Sequence, residues 1–97
     1  MDFVTQILAL ARANSPLIDR RMAVLLLAHQ RRASPTARQV RHIADSLKIS
    51  KPAVTRAFDG LERLGLGRRE TLAEDRRSAL IALTKKGEKL AAELAGE

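Results

Sequence analysis

The chain has 97 residues, which is the size of one compact domain and leaves no room for two separate cores. Hydrophobic residues make up 45% of it and charged residues 30%, which is typical of a folded globular domain and not of a disordered chain. Eighteen Lys and Arg against eleven Asp and Glu give a net charge of +7, which favours a polyanionic partner.

Several classes of function are disfavoured by what the sequence lacks. It has no cysteine, which excludes disulfides, thiol nucleophiles and thiolate metal sites. His29 and His42 have no acidic residue beside them at ligand spacing, so we expect structural roles for both, and neither a metal nor a cofactor. No serine has a base at suggestive spacing and no Gly-rich phosphate loop occurs, so we do not expect an enzyme.

The longest apolar run, Met22–Ala28, is far short of the roughly 20 residues that span a bilayer. The N-terminus carries Asp2 and no basic segment, so it does not have the pattern of a signal peptide. We therefore expect a cytoplasmic protein without a membrane role.

Hydrophobic periodicity predicts two helices in the first third of the chain. A period of 3.6 residues predicts the first helix from residue 2 to about 13 and the second from Pro16 to Gln30. Ser15 is the expected N-cap of the second helix, because the next residue is Pro16 and proline suits the first position of a helix. The apolar stripe of this helix is nearly continuous, which predicts burial on more than one side.

Two further helices are predicted close together. Thr36 with Gln39 three residues later forms a capping box, which predicts the start of the third helix. After a break of three residues, Ser50 is the expected N-cap of a fourth helix that spans about residues 51 to 64. Gly65 is expected to end this helix in the left-handed conformation.

The pattern changes to period two after the fourth helix. Residues 68–72 and 78–84 predict two strands joined by a charged turn, and a helix of about ten residues follows from Lys85. The expected fold is mainly α with a small β-hairpin: four helices, the hairpin and a last helix. Two helices joined by a short turn and followed by a basic hairpin form a winged helix-turn-helix, in which the hairpin is the wing.

This arrangement predicts binding to double-stranded DNA. The fourth helix would enter the major groove with its N-terminal turn, where Arg56 can contact guanine and Thr55 a thymine methyl. Arg76 and Arg77 at the wing tip would reach the adjacent minor groove. The predicted DNA-binding residues are Arg38, Ser50, Lys51, Pro52, Thr55, Arg56, Arg68, Arg76 and Arg77.

Four sequence motifs, taken together, resemble the MarR family of winged-helix transcription regulators. They are Ser50-Lys51-Pro52-Ala53-Val54-Thr55-Arg56, Leu61-Glu62-Arg63-Leu64-Gly65-Leu66, Asp75-Arg76-Arg77-Ser78 and Leu83-Thr84-Lys85-Lys86-Gly87. The resemblance implies a bacterial regulator, associated with the nucleoid when bound to DNA, in which Asp75 braces the wing while Arg76 and Arg77 contact DNA. It also implies a homodimer formed through the terminal helices, and it leaves the existence of a small-molecule effector open.

The chain departs from the family pattern in two ways. Gly67 stands where an aliphatic strand residue is usual, which predicts a frayed or bulged first wing strand. The terminal helices are shorter than is usual, so we expect residues 1–97 to form a single winged-helix domain with an abbreviated dimer interface.

A second class of function stays open at this point. The same fold can serve as an interaction module that docks a protein partner and does not read DNA. Binding to single strands is less favoured, because the only aromatics, Phe3 and Phe58, both lie on apolar stripes. A membrane-surface role is a distant third.

Overall fold

The computed structural model describes residues 19–74 and 79–97. The first predicted helix, its boundary at Ser15 and Pro16, and the wing tip at residues 75–78 lie outside these ranges. The predicted fold class is confirmed, because the described residues form helices and one antiparallel hairpin. The elements are α1 (Arg20–Gln30), a 3-10 turn (Thr36–Arg38), α2 (Val40–Leu47), α3 (Lys51–Arg63), β1 (Gly67–Thr71), β2 (Ala79–Leu83) and α4 (Lys85–Leu94).

Helix α1 is the centre of the core. Every residue from Ala23 to His29 is buried, as its nearly continuous apolar stripe predicts, and the helix packs against α2, α3, α4 and β2. The predicted start at Pro16 is wrong, because Asp19 has an extended backbone and α1 begins at Arg20. The Asp19 Oδ1 atom accepts a hydrogen bond of 2.7 Å from the amide of Arg21, so Asp19 is the N-cap.

The predicted capping box of Thr36 and Gln39 is wrong, because a 3-10 turn precedes α2 and Gln39 is itself the residue before the helix. Thr36 lies inside that turn, and neither it nor Gln39 makes a side-chain cap hydrogen bond. Gln39 is extended, with φ −62° and ψ 143°, and its amide donates to the Thr36 carbonyl at 3.2 Å. Helix α2 therefore begins at Val40.

The turn between α2 and α3 has three residues, as predicted. Lys48 ends α2 in the left-handed region, with φ 56° and ψ 44°. Ser50 is extended and its Oγ accepts a hydrogen bond of 3.2 Å from the Ala53 amide, which confirms it as the N-cap of α3. Ile43 of α2 and Val54 of α3 are fully buried in the same hydrophobic core, so the two helices share that core.

Helix α3 ends at the glycine that the sequence predicts. Gly65 has φ +74°, and its amide donates to the Glu62 carbonyl at 2.9 Å. The Leu66 amide donates to the Leu61 carbonyl at 2.9 Å, so the two bonds form a Schellman motif. Leu61 and Leu66 are both buried in the core, which fixes the direction in which the chain leaves the helix.

The hairpin is regular in the residues that the structure describes. Gly67 pairs with Leu83 and Thr71 with Ala79, with no extra residue between them. The predicted fraying or bulge at Gly67 is therefore wrong. An isolated bridge to Gln39 adds a partner on the other side of β2, so β2 lies between two neighbours and four of its five residues are buried.

The start of α4 is fastened to the end of α3. Thr84 caps α4 by accepting from the Gly87 amide at 3.0 Å, and its Oγ1 donates to the Gly65 carbonyl at 2.7 Å. Lys86 Nζ donates to the Leu64 carbonyl at 3.2 Å. A Cβ at Gly87 would lie only 2.0 Å from the Leu66 carbonyl oxygen, so glycine allows this close approach.

Candidate nucleic-acid interface

The N-terminal turn of α3 projects from the domain. Ser50, Lys51 and Pro52 are exposed, while Ala53 is 5% exposed and faces the core. Ala53 is therefore not part of the exposed surface of this turn. The first amides of a helix carry partial positive charge, and here they stand beside the Lys51 ammonium, so this turn suits an anionic partner.

Arg56 and Thr55 occupy different positions on α3. Arg56 is exposed, one turn beyond Pro52, so its guanidinium can reach a partner of the helix. Thr55 is half-buried and lies at a shallow cleft between α3 and the hairpin, which Phe58 and Arg69 also line. The structure thus brings both residues to the same exposed end of the helix, with Thr55 on the side of the wing.

The exposed surface of α3 also carries two acidic residues, which are paired within the domain. Arg69 of β1 donates from Nε to Glu62 Oε1 at 2.9 Å and from Nη2 to Asp59 Oδ1. The hydrogen bond to Glu62, with Asp59 beside it, raises the pKa of the Arg69 guanidinium. This role of Arg69 is not among those predicted from the sequence. The signal available was the spacing of the two acids by three residues, which places both on one face of the helix.

Arg68 lies on the opposite face of β1 from Arg69, because successive side chains alternate along a strand. It lies 3.6 Å from Glu70, and both line a polar cavity of about 130 Å³. The predicted DNA contact Arg68 is 64% exposed at its side chain, but it belongs to the hairpin face that turns away from α3. Arg32 of the loop after α1 lines the same cavity.

Arg38, one of the predicted DNA-binding residues, does not face solvent. Its side chain is only 11% exposed, and Nη1 donates to the Ile81 carbonyl at 3.0 Å. The same nitrogen lies 3.7 Å from Glu70. The reason is the extended backbone at Gln39, which ends the 3-10 turn and pairs with β2. Arg38 thus joins the helix-turn-helix to both strands of the hairpin.

Three predicted site residues, Asp75, Arg76 and Arg77, lie outside the described residues, so the wing tip stays a prediction. The strands on either side of it are described, and β1 packs against α3. The hairpin therefore starts beside α3, which we call the recognition helix from here on.

His29 is buried, and both of its ring nitrogens have a carboxylate partner. Its Nδ1 is hydrogen-bonded to Glu88 of α4 and its Nε2 lies 3.0 Å from Glu97 Oε2. Sequence spacing could not reveal these partners, because they lie 59 and 68 residues away. Among residues 19–74 and 79–97, no group of three potential ligands is arranged to hold a metal ion.

Two helices joined by a three-residue turn, with a hairpin packed beside the second helix, define a winged helix-turn-helix domain. The sequence model of the MarR family matches residues 19–79, which is well over half of the chain. The chain therefore belongs to the MarR family of winged-helix transcription regulators, a family of regulators and not of enzymes, and the resemblance is confirmed.

Solved structures agree with this assignment. The chain is 29% identical to a variant of Lactococcus lactis ZitR, covering 81% of this chain and 51% of that chain, with a TM-score of 0.70. It is 27% identical to S. aureus MepR in a complex with DNA, covering 76% and 52% of the two chains, with a TM-score of 0.66. The chain thus spans about half the length of these relatives. In the described part of the chain, no helix is long and apolar enough to cross a membrane.

Proposed function

We propose that this chain is a sequence-specific double-stranded DNA-binding transcriptional regulator whose recognition helix binds in the major groove. The observation that carries the proposal is the exposed N-terminal end of α3, where Lys51, Pro52 and, one turn further on, Arg56 project from a helix whose other side is buried. Support also comes from the structural likeness to MepR, which has been solved with DNA.

The exposed residues at this end of the helix have distinct proposed roles. Lys51 and the amide end of the helix at Ser50 bind backbone phosphates, which positions the helix without selecting a sequence. Arg56 donates two hydrogen bonds to guanine O6 and N7. Thr55, on the wing side, contacts a thymine methyl, and Pro52 packs close to the sugar-phosphate backbone.

The wing contributes contacts of a second kind. We propose that Arg76 and Arg77 insert into the adjacent minor groove, whose negative potential attracts arginine, and that Asp75 braces them. Arg68 suits a flanking phosphate, because its side chain is largely exposed on the face of the hairpin that turns away from α3. For Arg38 we favour bracing of the hairpin over DNA contact, since its guanidinium is bonded to the Ile81 carbonyl.

We further propose that the functional unit is a homodimer formed through the terminal helices of a single domain that spans residues 1–97. Two recognition helices would then lie about 34 Å apart, one turn of DNA, and read a pseudo-palindrome. The expected location is the cytoplasm, at the nucleoid when DNA is bound. An effector is not part of the proposal.

The alternative, a module that docks a protein, has little apolar surface in its favour. Among the described residues the exposed large hydrophobic side chain is Leu64, at 53%, and a single such residue is ordinary for a monomeric surface. The exposed end of α3 is cationic instead, which suits phosphate.

Selection from a random-sequence duplex pool tests the proposal. The chain should enrich a sequence with two half-sites, and the bound duplex should migrate more slowly at low salt. If about four or five phosphates are neutralised by each subunit of the dimer, log affinity should fall against log salt with a slope near −7 to −9. A slope near zero, or no enrichment together with a monomeric elution, would favour the protein-docking alternative.

A further inference from the structure

Arg69 connects the wing to the recognition helix at more than one point. Its guanidinium is hydrogen-bonded to Asp59 and Glu62, and its central carbon lies 5.6 Å from the centre of the Phe58 ring. All three partners belong to α3. We call Asp59, Glu62 and Arg69 the wing clamp.

The wing clamp adds a second fixed point to the contact between β1 and α3. The first is at Gly67, whose backbone approaches the Phe58 ring so closely that a Cβ would lie 2.7 Å from Cε1. A contact at the base of β1 alone leaves the outer residues of that strand free to bend away from α3. A second point two residues further along the strand removes that freedom, and Arg38 holds β2 from the other side through Ile81.

We propose that Arg69 is a positioning residue for DNA binding: the wing clamp holds the hairpin at the angle that lets the wing and the recognition helix bind one duplex together. The inference rests on the proposed function. A rigid two-part surface binds without first having to order its parts, whereas a swinging wing would lose that advantage. The guanidinium fork suits this role, because it can donate to two carboxylates at once.

A simple electrostatic role for these residues predicts a different result. Arg69 is a cation and Asp59 and Glu62 are anions on the helix that approaches phosphate. If charge alone mattered, removal of Arg69 would weaken DNA binding and removal of the two acids would strengthen it. If positioning matters, both changes weaken binding, because either one opens the wing clamp.

The experiment uses the full chain and a duplex that the wild-type chain selects from a random pool. Three variants are compared with wild type: R69Q, the double variant D59N/E62Q, and R69Q/D59N/E62Q. We expect R69Q and D59N/E62Q each to lower affinity about tenfold, which corresponds to the loss of one good contact. The triple variant should be no weaker than R69Q, because the three residues act as one unit.

A second measurement separates positioning of the wing from general loss of structure. Arg76→Ala should weaken binding in the wild-type background but have little further effect in R69Q, because the displaced wing no longer makes that contact. R69K should recover part of the affinity, since lysine can pair with one acid. Thermal unfolding of every variant reports whether the fold is kept.

The outcomes are distinguishable. If wild type selects no duplex, the proposed function and the positioning role both fail. If wild type binds and D59N/E62Q binds more tightly, or if Arg76→Ala costs as much in R69Q as in wild type, only the positioning role is overturned. If R69Q does not fold, the folded D59N/E62Q variant decides by the direction of its change in affinity.

Discussion

A Cβ built on Gly67 would lie 2.7 Å from Cε1 of the Phe58 ring, closer than such atoms approach, and 3.3 Å from Cδ1, which is a tight contact. Phe58 is 3% exposed and packs in the core, so the ring has no open space into which it could turn. The absence of a side chain at Gly67 is thus what allows the first wing strand to lie directly on the recognition helix.

Gly67→Ala is therefore expected to destabilise the protein by about 1–3 kcal/mol through overpacking against Phe58. Urea unfolding measures the change in the free energy of unfolding. Phe58→Leu in the same chain supplies the control, because the smaller side chain should relieve the clash and make the double variant less destabilised than the sum of the two single changes. Simple additivity would contradict the contact.

Gly87→Ala is expected to destabilise by about 3 kcal/mol, because the added methyl would meet the backbone oxygen of Leu66 at 2.0 Å. Alanine is otherwise the better helix former by about 1 kcal/mol, so a loss of stability isolates the contact. Lys89→Ala, at an exposed position of the same helix, is the matched control and should change the unfolding free energy little. Unchanged or increased stability in Gly87→Ala would show that α4 does not pack on the end of α3 in this way.

Asp19→Ala is expected to cost about 1 kcal/mol at neutral pH, because the N-cap of α1 is lost. The Arg21 guanidinium, hydrogen-bonded to the Asp19 carboxylate, lowers the pKa of that carboxyl below its usual 3.8. A lowered folded-state pKa gives stability that is present above the usual value and is lost as pH falls through the folded value.

The matched control is Asp19→Asn, which keeps the cap but carries no titratable charge. We expect wild type to exceed it by about 0.5 kcal/mol or less near pH 6, since the pair is half exposed, and the difference to shrink as the pH falls below the usual carboxyl pKa of 3.8. Urea unfolding of both chains over this range gives the comparison. A difference that grows as pH falls would reverse the sign and refute the assignment.

Arg56→Ala is expected to cost about 1–3 kcal/mol in DNA binding and to relax the sequence preference at one position of each half-site. Arg63→Ala is the matched control on the same helix, two turns further on, and should leave the preference unchanged. Arg76→Ala should weaken binding to all sequences more evenly. These three variants are tested by measuring their affinities for the selected duplex and for duplexes with single-base changes. An equal loss of affinity on every sequence for Arg56→Ala would argue against base reading.

Local sequence was sufficient for the features that depend on neighbours along the chain. The cap at Ser50 and the left-handed end at Gly65 are predictable from the sequence, because the hydrogen bonds at these positions join residues three to five positions apart. The hairpin and the last helix are likewise predicted from local periodicity. Their order along the chain, together with the short turn before α3, is enough to predict a winged helix-turn-helix.

Tertiary structure decided which charged side chains are available and which are already bonded. Arg38, Arg68 and Arg69 are alike in the sequence, yet the first binds the Ile81 carbonyl, the second is largely exposed on the hairpin face away from α3, and the third binds two acids of α3. His29 likewise meets its carboxylate partners only because α4 packs against α1. A pattern of residues determines the period and the caps of each element, because these depend on backbone bonds within a few residues. The partner of a long side chain depends on which elements the core brings together.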